Sequence, residues 1–350
     1  MLDRNFYSGK KILVTGHSGF KGTWMSKVLC LLGAEVTGYA LEPEKESLFR
    51  MTGMQDHVKS IAGDIRDIDL LRKTFEENKP EIVIHMAAQP IVREGYKNPV
   101  YTYETNVMGT VNILECIRTT STVKSFINVT TDKVYKNKEW DWGYRENEEL
   151  NGFDPYSNSK SCSELVTESY KNSFFADRAI AISTARAGNV IGGGDFAIDR
   201  IIPDCVRAMK RGETIGVRNP YSIRPYQHVL EPVVAYLLIA QEQYKNLLLA
   251  GNYNVGPDEC DCVTTGELVE MFCRKWGDNA QWIDMAEKNA PHEAGFLKLD
   301  CSRVKRVFGW KPRWHIEECM DMVCRFGKAY VNNENLNDEM EREISKFFAL

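Results

Sequence analysis

Two segments of the chain bring chemistry-bearing side chains close together. Thr131-Asp132-Lys133 sets a hydroxyl, a carboxyl and an amine on consecutive residues. Tyr156-Ser157-Asn158-Ser159-Lys160 sets a phenol and an ammonium one helical turn apart on a single face. A phenol ordinarily titrates at ~10, and a neighbouring ammonium together with a positively charged ring bound beside it would favour the phenolate and lower that value. A lowered phenol removes a hydroxyl proton while a hydride leaves the same carbon. Oxidation of an alcohol needs only Tyr156, Lys160 and Thr131. Asp132 and Lys133 therefore point to a reaction with a further proton transfer.

Such groups act together only if regular elements aim them at one place. Short β-rich runs at 11–15, 35–39, 58–61, 81–85, 124–130 and 179–184 read as strands. Helical patterns run up to residue 32 and over 67–78, 99–119 and 155–174, the last with proline in its first turn. This alternation predicts an α/β fold, a Rossmann-type doubly wound parallel sheet. It leaves Thr131 at a strand end, where ligands meet open α/β sheets. After Ala187 the rhythm breaks at Gly192-Gly193-Gly194, and helices are expected near 202–210, 232–244, 265–276 and 317–331. The expected organisation is a dinucleotide-binding domain over 1–187 and a smaller mixed α/β substrate lobe over 188–350, sharing one cleft. Residues 334–350 read as a loosely attached terminal helix, and 140–154, rich in Trp, Tyr and charge, as a cover for the cleft.

Gly16-His17-Ser18-Gly19-Phe20-Lys21-Gly22 lies between the first strand and the first helix with GxxGxxG spacing. Its glycines permit a tight turn and close approach of a pyrophosphate, with helix N–H groups facing the anion. All seven residues are candidate cofactor contacts, with Lys21 either paired to a phosphate or solvated. A ribose-binding acid is expected ~20 residues further on. The second strand instead ends Gly38-Tyr39-Ala40-Leu41, with no acid before Glu42 and no arginine, so it does not choose between NAD and NADP. Asp64 and Ile65 are candidates for the adenine end, and the small residues Ala87 and Ala88 suit a close-packed cofactor. Asn106 holds either a group near the cofactor or a core position, and His85 reads as structural.

Bulk composition removes other classes. The chain has 350 residues, 43% hydrophobic and 27% charged, as ordinary globular proteins do. A net charge of −5 with scattered Lys and Arg leaves no nucleic-acid footprint. No apolar run approaches the ~20 residues of a membrane span, and the first residues do not resemble a signal peptide. A cytoplasmic protein is expected. The ten cysteines form no CxxC pair and the six histidines are dispersed, so reduced packing thiols and no metal site are expected.

Three longer segments complete the picture: His85-Met86-Ala87-Ala88-Gln89-Pro90, Arg186-Ala187-Gly188-Asn189-Val190-Ile191-Gly192-Gly193-Gly194-Asp195, and Asn219-Pro220-Tyr221-Ser222-Ile223-Arg224-Pro225-Tyr226-Gln227-His228-Val229. With them the chain resembles, over nearly its whole length, the extended short-chain dehydrogenase/reductase family of nucleotide-sugar enzymes. Within it the resemblance is to dehydratases acting on CDP-glucose. The resemblance implies a lyase that uses NAD as a recycled reagent. Tyr156 takes the C4 hydroxyl proton as C4 gives up hydride, the C5 proton is removed, water leaves C6, and hydride returns to C6. Thr131 orients the ketone oxygen, Asp132 is the acid for the C6 hydroxyl, and Lys160 supports Tyr156.

Many sugar-nucleotide dehydratases carry Asp-Glu where this chain carries Asp132-Lys133, and those acting on CDP-glucose resemble it in having the lysine. Lys133 then acts either as the C5 base, with a depressed pKa, or as electrostatic support for the enolate. The resemblance also implies substrate contacts from Gln89, Asn189, Arg200 and Arg224, with His228 either near the nucleotide or structural. It implies a homodimer, or a tetramer, paired through helices 99–119 and 155–174, and a product destined for deoxysugars such as those of O-antigens. An epimerase or ketoreductase on the same scaffold has no use for an elimination acid, and a non-catalytic NAD-binding regulator has no need of the intact Thr131, Tyr156 and Lys160.

Overall fold

The computed structural model describes residues 2–286 and 295–348. Six strands of the N-terminal half are β1 (Lys11–Thr15), β2 (Glu35–Ala40), β3 (Lys59–Ala62), β4 (Ile82–His85), β5 (Ser125–Thr131) and β6 (Ala181–Ala187). The helices between them include α1 (Phe20–Leu31), α2 (Leu48–Met51), α3 (Ile68–Asn78), α4 (Val92–Lys97), α5 (Pro99–Tyr103), α6 (Gly109–Thr119) and α7 (Pro155–Phe174). All the pairings among β1–β6 are parallel. Alternate residues of β1 serve opposite faces: Ile12 and Val14 join one apolar core and Leu13 the other. Both faces are thus covered, as a parallel sheet requires.

The second half supplies β7 (Val190–Ile191), α8 (Ile201–Arg211), β8 (Ile215–Val217), β9 (Ile223–Pro225), β10 (Gln227–His228), α9 (Leu230–Lys245), β11 (Asn252–Val255), β12 (Cys262–Thr264), α10 (Thr265–Trp276), β13 (Trp282–Asp284), α11 (Ser302–Phe308), α12 (Ile316–Val331) and α13 (Leu336–Phe347). The main sheet runs β11-β6-β5-β4-β1-β2-β3. Strand order reverses between β1 and β4, which opens a crevice at the carboxyl ends of the strands.

Three expectations change. First, a division at residue 187 runs through one sheet, because β11 returns to pair with β6. Second, the terminal segment is firmly packed: Leu336, Met340, Ile344 and Phe347 of α13 are buried in the main core. Third, residues 99–119 are not one continuous α-helix. A π-helical turn at Glu104–Met108 separates α5 from α6, a distortion frequent beside functional sites.

Candidate active site

A cleft of about 1350 Å³ lies over the switch point. One wall comes from the β1–α1 loop, the ends of β4 and β5, and the start of α7. The other comes from residues 188–204, 216–219 and 222–226. Thr131, Asp132, Lys133, Tyr156 and Lys160 all line it, so the two sequence segments meet as expected. β5 ends at Thr131 and α7 starts at Pro155 under an N-cap from the Asp154 side chain, which brings both segments to the same end of the sheet.

The Thr131 hydroxyl donates to Asp132 Oδ1 at 2.9 Å and is also hydrogen-bonded with Tyr156. Asp132 is 2% exposed, and its second oxygen, Oδ2, has no hydrogen-bond partner. Burial pushes this carboxyl upward, against the opposing pull of Lys133 and Arg224. The Lys160 ammonium donates to the Val129 carbonyl at 2.9 Å. Burial draws it down to about 8, with Glu164 countering. Among the protein's own groups, burial pushes the Tyr156 phenol up to about 12, Asp132 adds to this, and Thr131 and Arg200 oppose it. Desolvation disfavours the anion, and the protein's own cations do not outweigh that.

The glycine loop fits its expected role. Gly16, Ser18, Gly19, Phe20, Lys21 and Gly22 line the cleft. A Cβ at Gly22 would come within 2.0 Å of the Gly16 carbonyl, so only glycine lets α1 start this close to the loop. No side chain caps that helix and its first turn holds no acid, so its N–H groups remain for an anion. Lys21 is not simply solvated. Burial draws it down to about 7, helped by Arg200 across the cleft and by Lys160 on the same wall. Asp64, Ile65, Ala87 and Ala88 also line the cleft, with Asp64 held 2.7 Å from Arg66. Beyond β2, Glu42, Glu44 and Glu46 line the same end.

Four candidates do not line the cleft. The His17 side chain does not line the cleft. Its ring fills the space over Gly38, where a Cβ would come within 2.2 Å of it, and its Nε2 lies 2.8 Å from Ser60 Oγ. Asn106 is carried inward by the π-turn. It accepts from the Gln89 N–H at 2.8 Å and donates to Gln89 O and to Ser159 Oγ at 2.9 Å. Gln89 is equally committed, bonding Thr102 Oγ1 and the Ile91 N–H. These two amides fasten the β4 loop to α7. His228 is fully buried, 3.2 Å from Glu343 and packed on Trp24 and Trp314. Burial lowers the imidazole to about 3 and raises the carboxyl well above its ordinary value, each toward its uncharged form. His228 anchors α13 instead of meeting substrate.

Asn189, Arg200 and Arg224 do line the cleft, with Arg200 paired to Asp195 at 2.9 Å. His85 is structural as read, held by Thr15 at 2.7 Å. The segment 140–154 does not cover the cleft: Tyr144 stacks on Tyr135 and pairs with Leu299 to one side. Dispersal of Cys and His along the chain hid one cluster, Cys260, Asp261 and His315, within 4.8 Å of one another and away from the cleft. There His315 Nδ1 lies 2.9 Å from Asp261, an ion pair at the start of α12. Sequence reading also missed Glu164 and Arg186, a fully buried pair behind Lys160. The i, i+4 spacing of Lys160 and Glu164 was the available signal.

Comparison with known proteins agrees with this geometry. The sequence profile described as GDP-mannose 4,6 dehydratase matches residues 13–323. A CDP-glucose 4,6-dehydratase of Salmonella typhimurium is 47% identical over 356 residues, covering 100% of this chain and 99% of that protein. In fold, the chain is similar to UDP-glucose 4-epimerase of Thermotoga maritima, with a TM-score of 0.78, 22% identity, and coverage of 91% of this chain and 99% of that one. It is similar as well to dTDP-glucose 4,6-dehydratase of Bacillus anthracis in complex with NAD, with a TM-score of 0.78, 19% identity, and coverage of 93% and 99%.

Proposed function

The chain belongs to the GDP-mannose 4,6-dehydratase family, and from that premise we propose that it is an NAD-dependent hydro-lyase. It converts CDP-glucose to CDP-4-dehydro-6-deoxyglucose and water. The observation that carries this reading is Asp132: a buried carboxyl with raised proton affinity and one unpartnered oxygen inside the cleft. That is the state an elimination acid needs and one an epimerase does not use. The 47% identical relative supports CDP-glucose as the substrate.

Tyr156, half-buried at the cleft wall, takes the C4 hydroxyl proton, and Thr131 orients the oxygen it leaves. Bound NAD supplies the hydride acceptor for C4, the hydride for C6 and a cationic ring that favours the Tyr156 phenolate. Asp132 gives its proton to the C6 hydroxyl as water departs, and Lys133 serves the C5 proton or the enolate charge. The α1 N-terminus and Lys21 hold the pyrophosphate. Glu42, Glu44 and Glu46 repel a 2′-phosphate, which favours NAD over NADP. On the far wall Arg200 and Arg224 take the substrate diphosphate, for which a planar donor fork is suited, with Asn189 beside the sugar.

A homodimer through α5–α6 and α7 belongs to the same reading. Val100 (69%), Met108 (50%), Leu165 (56%) and Phe174 (47%) are exposed on those helices, as a face awaiting a partner would be. No helix among the described residues is long and apolar enough to cross a membrane. The product would feed deoxysugar assembly, of which O-antigen sugars are one case.

Incubation with CDP-glucose followed by alkali should give the ultraviolet absorbance of a 4-keto-6-deoxy sugar. A signal with dTDP- or GDP-sugars but not with CDP-glucose would overturn the nucleotide assignment. No signal with any of them would overturn the dehydratase.

A further inference from the structure

Resting on that reading, we propose that Glu164 is a positioning residue: with Arg186 it fastens the end of β5 to α7 and supplies the fixed negative charge that keeps the Lys160 ammonium charged. Consecutive residues of β5 meet successive turns of α7. Lys160 Nζ donates to the Val129 carbonyl at 2.9 Å, and the next residue, Thr130, donates its hydroxyl to Glu164. The three residues after that are Thr131, Asp132 and Lys133. Glu164 therefore sets the register of the strand that presents the chemistry against the helix that presents Tyr156.

The carboxylate is saturated. Besides Thr130 it accepts from Thr184 at 2.7 Å and from Arg186 through two parallel bonds at 3.0 and 2.9 Å. Arg186, 1% exposed, continues to the Tyr135 hydroxyl at 2.8 Å and the Glu146 carbonyl at 3.0 Å. Arg186 is on β6, and Gly188 and Asn189, which follow that strand, line the cleft. One carboxylate thus ties together the helix and both strands whose ends form the site.

The groups facing Lys160 decide the electrostatics. Lys21 from α1 is a like charge, and His85 from β4 is neutral, its imidazole lowered by burial and by Lys160 itself. Tyr156 and Glu164 are on its own helix. At the cleft, Asp132 has raised proton affinity and Tyr236, from α9, is a neutral phenol held above its ordinary value. That leaves Glu164 as the acid acting to keep Lys160 protonated.

The test compares the parent protein with Glu164→Gln and with the charge-balanced pair Glu164→Gln/Arg186→Met. Glu164→Gln alone strands a buried arginine and should lower Tm. The double variant should recover most of that loss. Its kcat should stay depressed by about 10-fold or more, and the alkaline limb of its kcat profile should still move toward acid. The move is smaller than a lone unit charge one helical turn away would give, because the Arg186 cation, which stands behind the carboxylate, leaves with it. NMR titration of lysine-labelled protein, assigned with Lys160→Met, should show the same acidward shift without substrate. A folded double variant with the parent profile and parent Lys160 titration overturns the inference, as does a uniform loss of kcat with no shift. A parent protein that does not turn over CDP-glucose, yet shows the Lys160 shift by NMR, would overturn the substrate reading and leave the positioning role standing.

Discussion

The two walls of the cleft hold their charges differently. On the wall from β5 and α7, apart from the open Asp132 Oδ2, the buried polar groups are held by fixed partners: Lys160 by Val129 O, Thr131 by Asp132, and Glu164 by Thr130, Thr184 and Arg186. On the opposite wall, two arginines, Arg200 and Arg218, are themselves about a third exposed and pair with carboxylates. Arg200 meets Asp195 at 2.9 Å, and Arg218 meets Asp204 at 3.2 Å. A buried partner cannot be exchanged without stranding a charge. A half-exposed ion pair contributes little and gives way to a better anion at small cost. The first wall is built to do chemistry in one geometry, and the second to release its arginines to a diphosphate.

Four substitutions sharpen or break that contrast. Tyr156→Phe removes the proton acceptor of the first step and should lower kcat by about 10³-fold, within the range for acid–base groups. CDP-glucose affinity, measured by calorimetry, should stay within about 3-fold. Asp132→Asn should cost about 10²-fold in kcat, with reduced cofactor accumulating during turnover because oxidation at C4 proceeds and elimination stalls. Unchanged turnover would refute the acid role. Across the cleft, Arg224→Met should instead raise KM by about 10-fold with kcat within about 3-fold, the loss of a charge-assisted hydrogen bond made equally to substrate and transition state. Arg200→Met should do the same by only about 3-fold, since its guanidinium is 34% exposed and already shared with Asp195. A kcat effect from either arginine larger than that of Asp132→Asn would erase the distinction between the walls.

How much of this was legible beforehand follows the same division. The first wall is local in sequence: Gly16 to Gly22, Thr131 to Lys133, and Tyr156 with Lys160 each span a few residues of one element. Strand ends and helix starts could place them, and they do line one cleft apart from His17. What was left open or misplaced falls on side chains whose direction depends on distant partners. His17 was read with its loop, yet its ring turns to fill the gap left by Gly38. For His228 the sequence left a nucleotide contact and a structural role open, and its partner on α13, more than a hundred residues away in the chain, decides for the second. Gln89 and Asn106 were placed near the right groups but bond each other. At Tyr156 a neighbour's charge can be read from spacing, whereas the cost of burial cannot.

The sequence alone determined the alternating strands and helices, the glycine loop and the residue types that do the chemistry. Each depends on contacts within about one turn of helix or one strand end. Only the tertiary structure decided which polar groups are desolvated and what they face. Asp132 gains its proton affinity from burial. Lys160 gains its charge partner from a carboxylate shared by α7, β5 and β6. Desolvation and long-range pairing are properties of packed volume, and no short stretch of chain encodes them by itself.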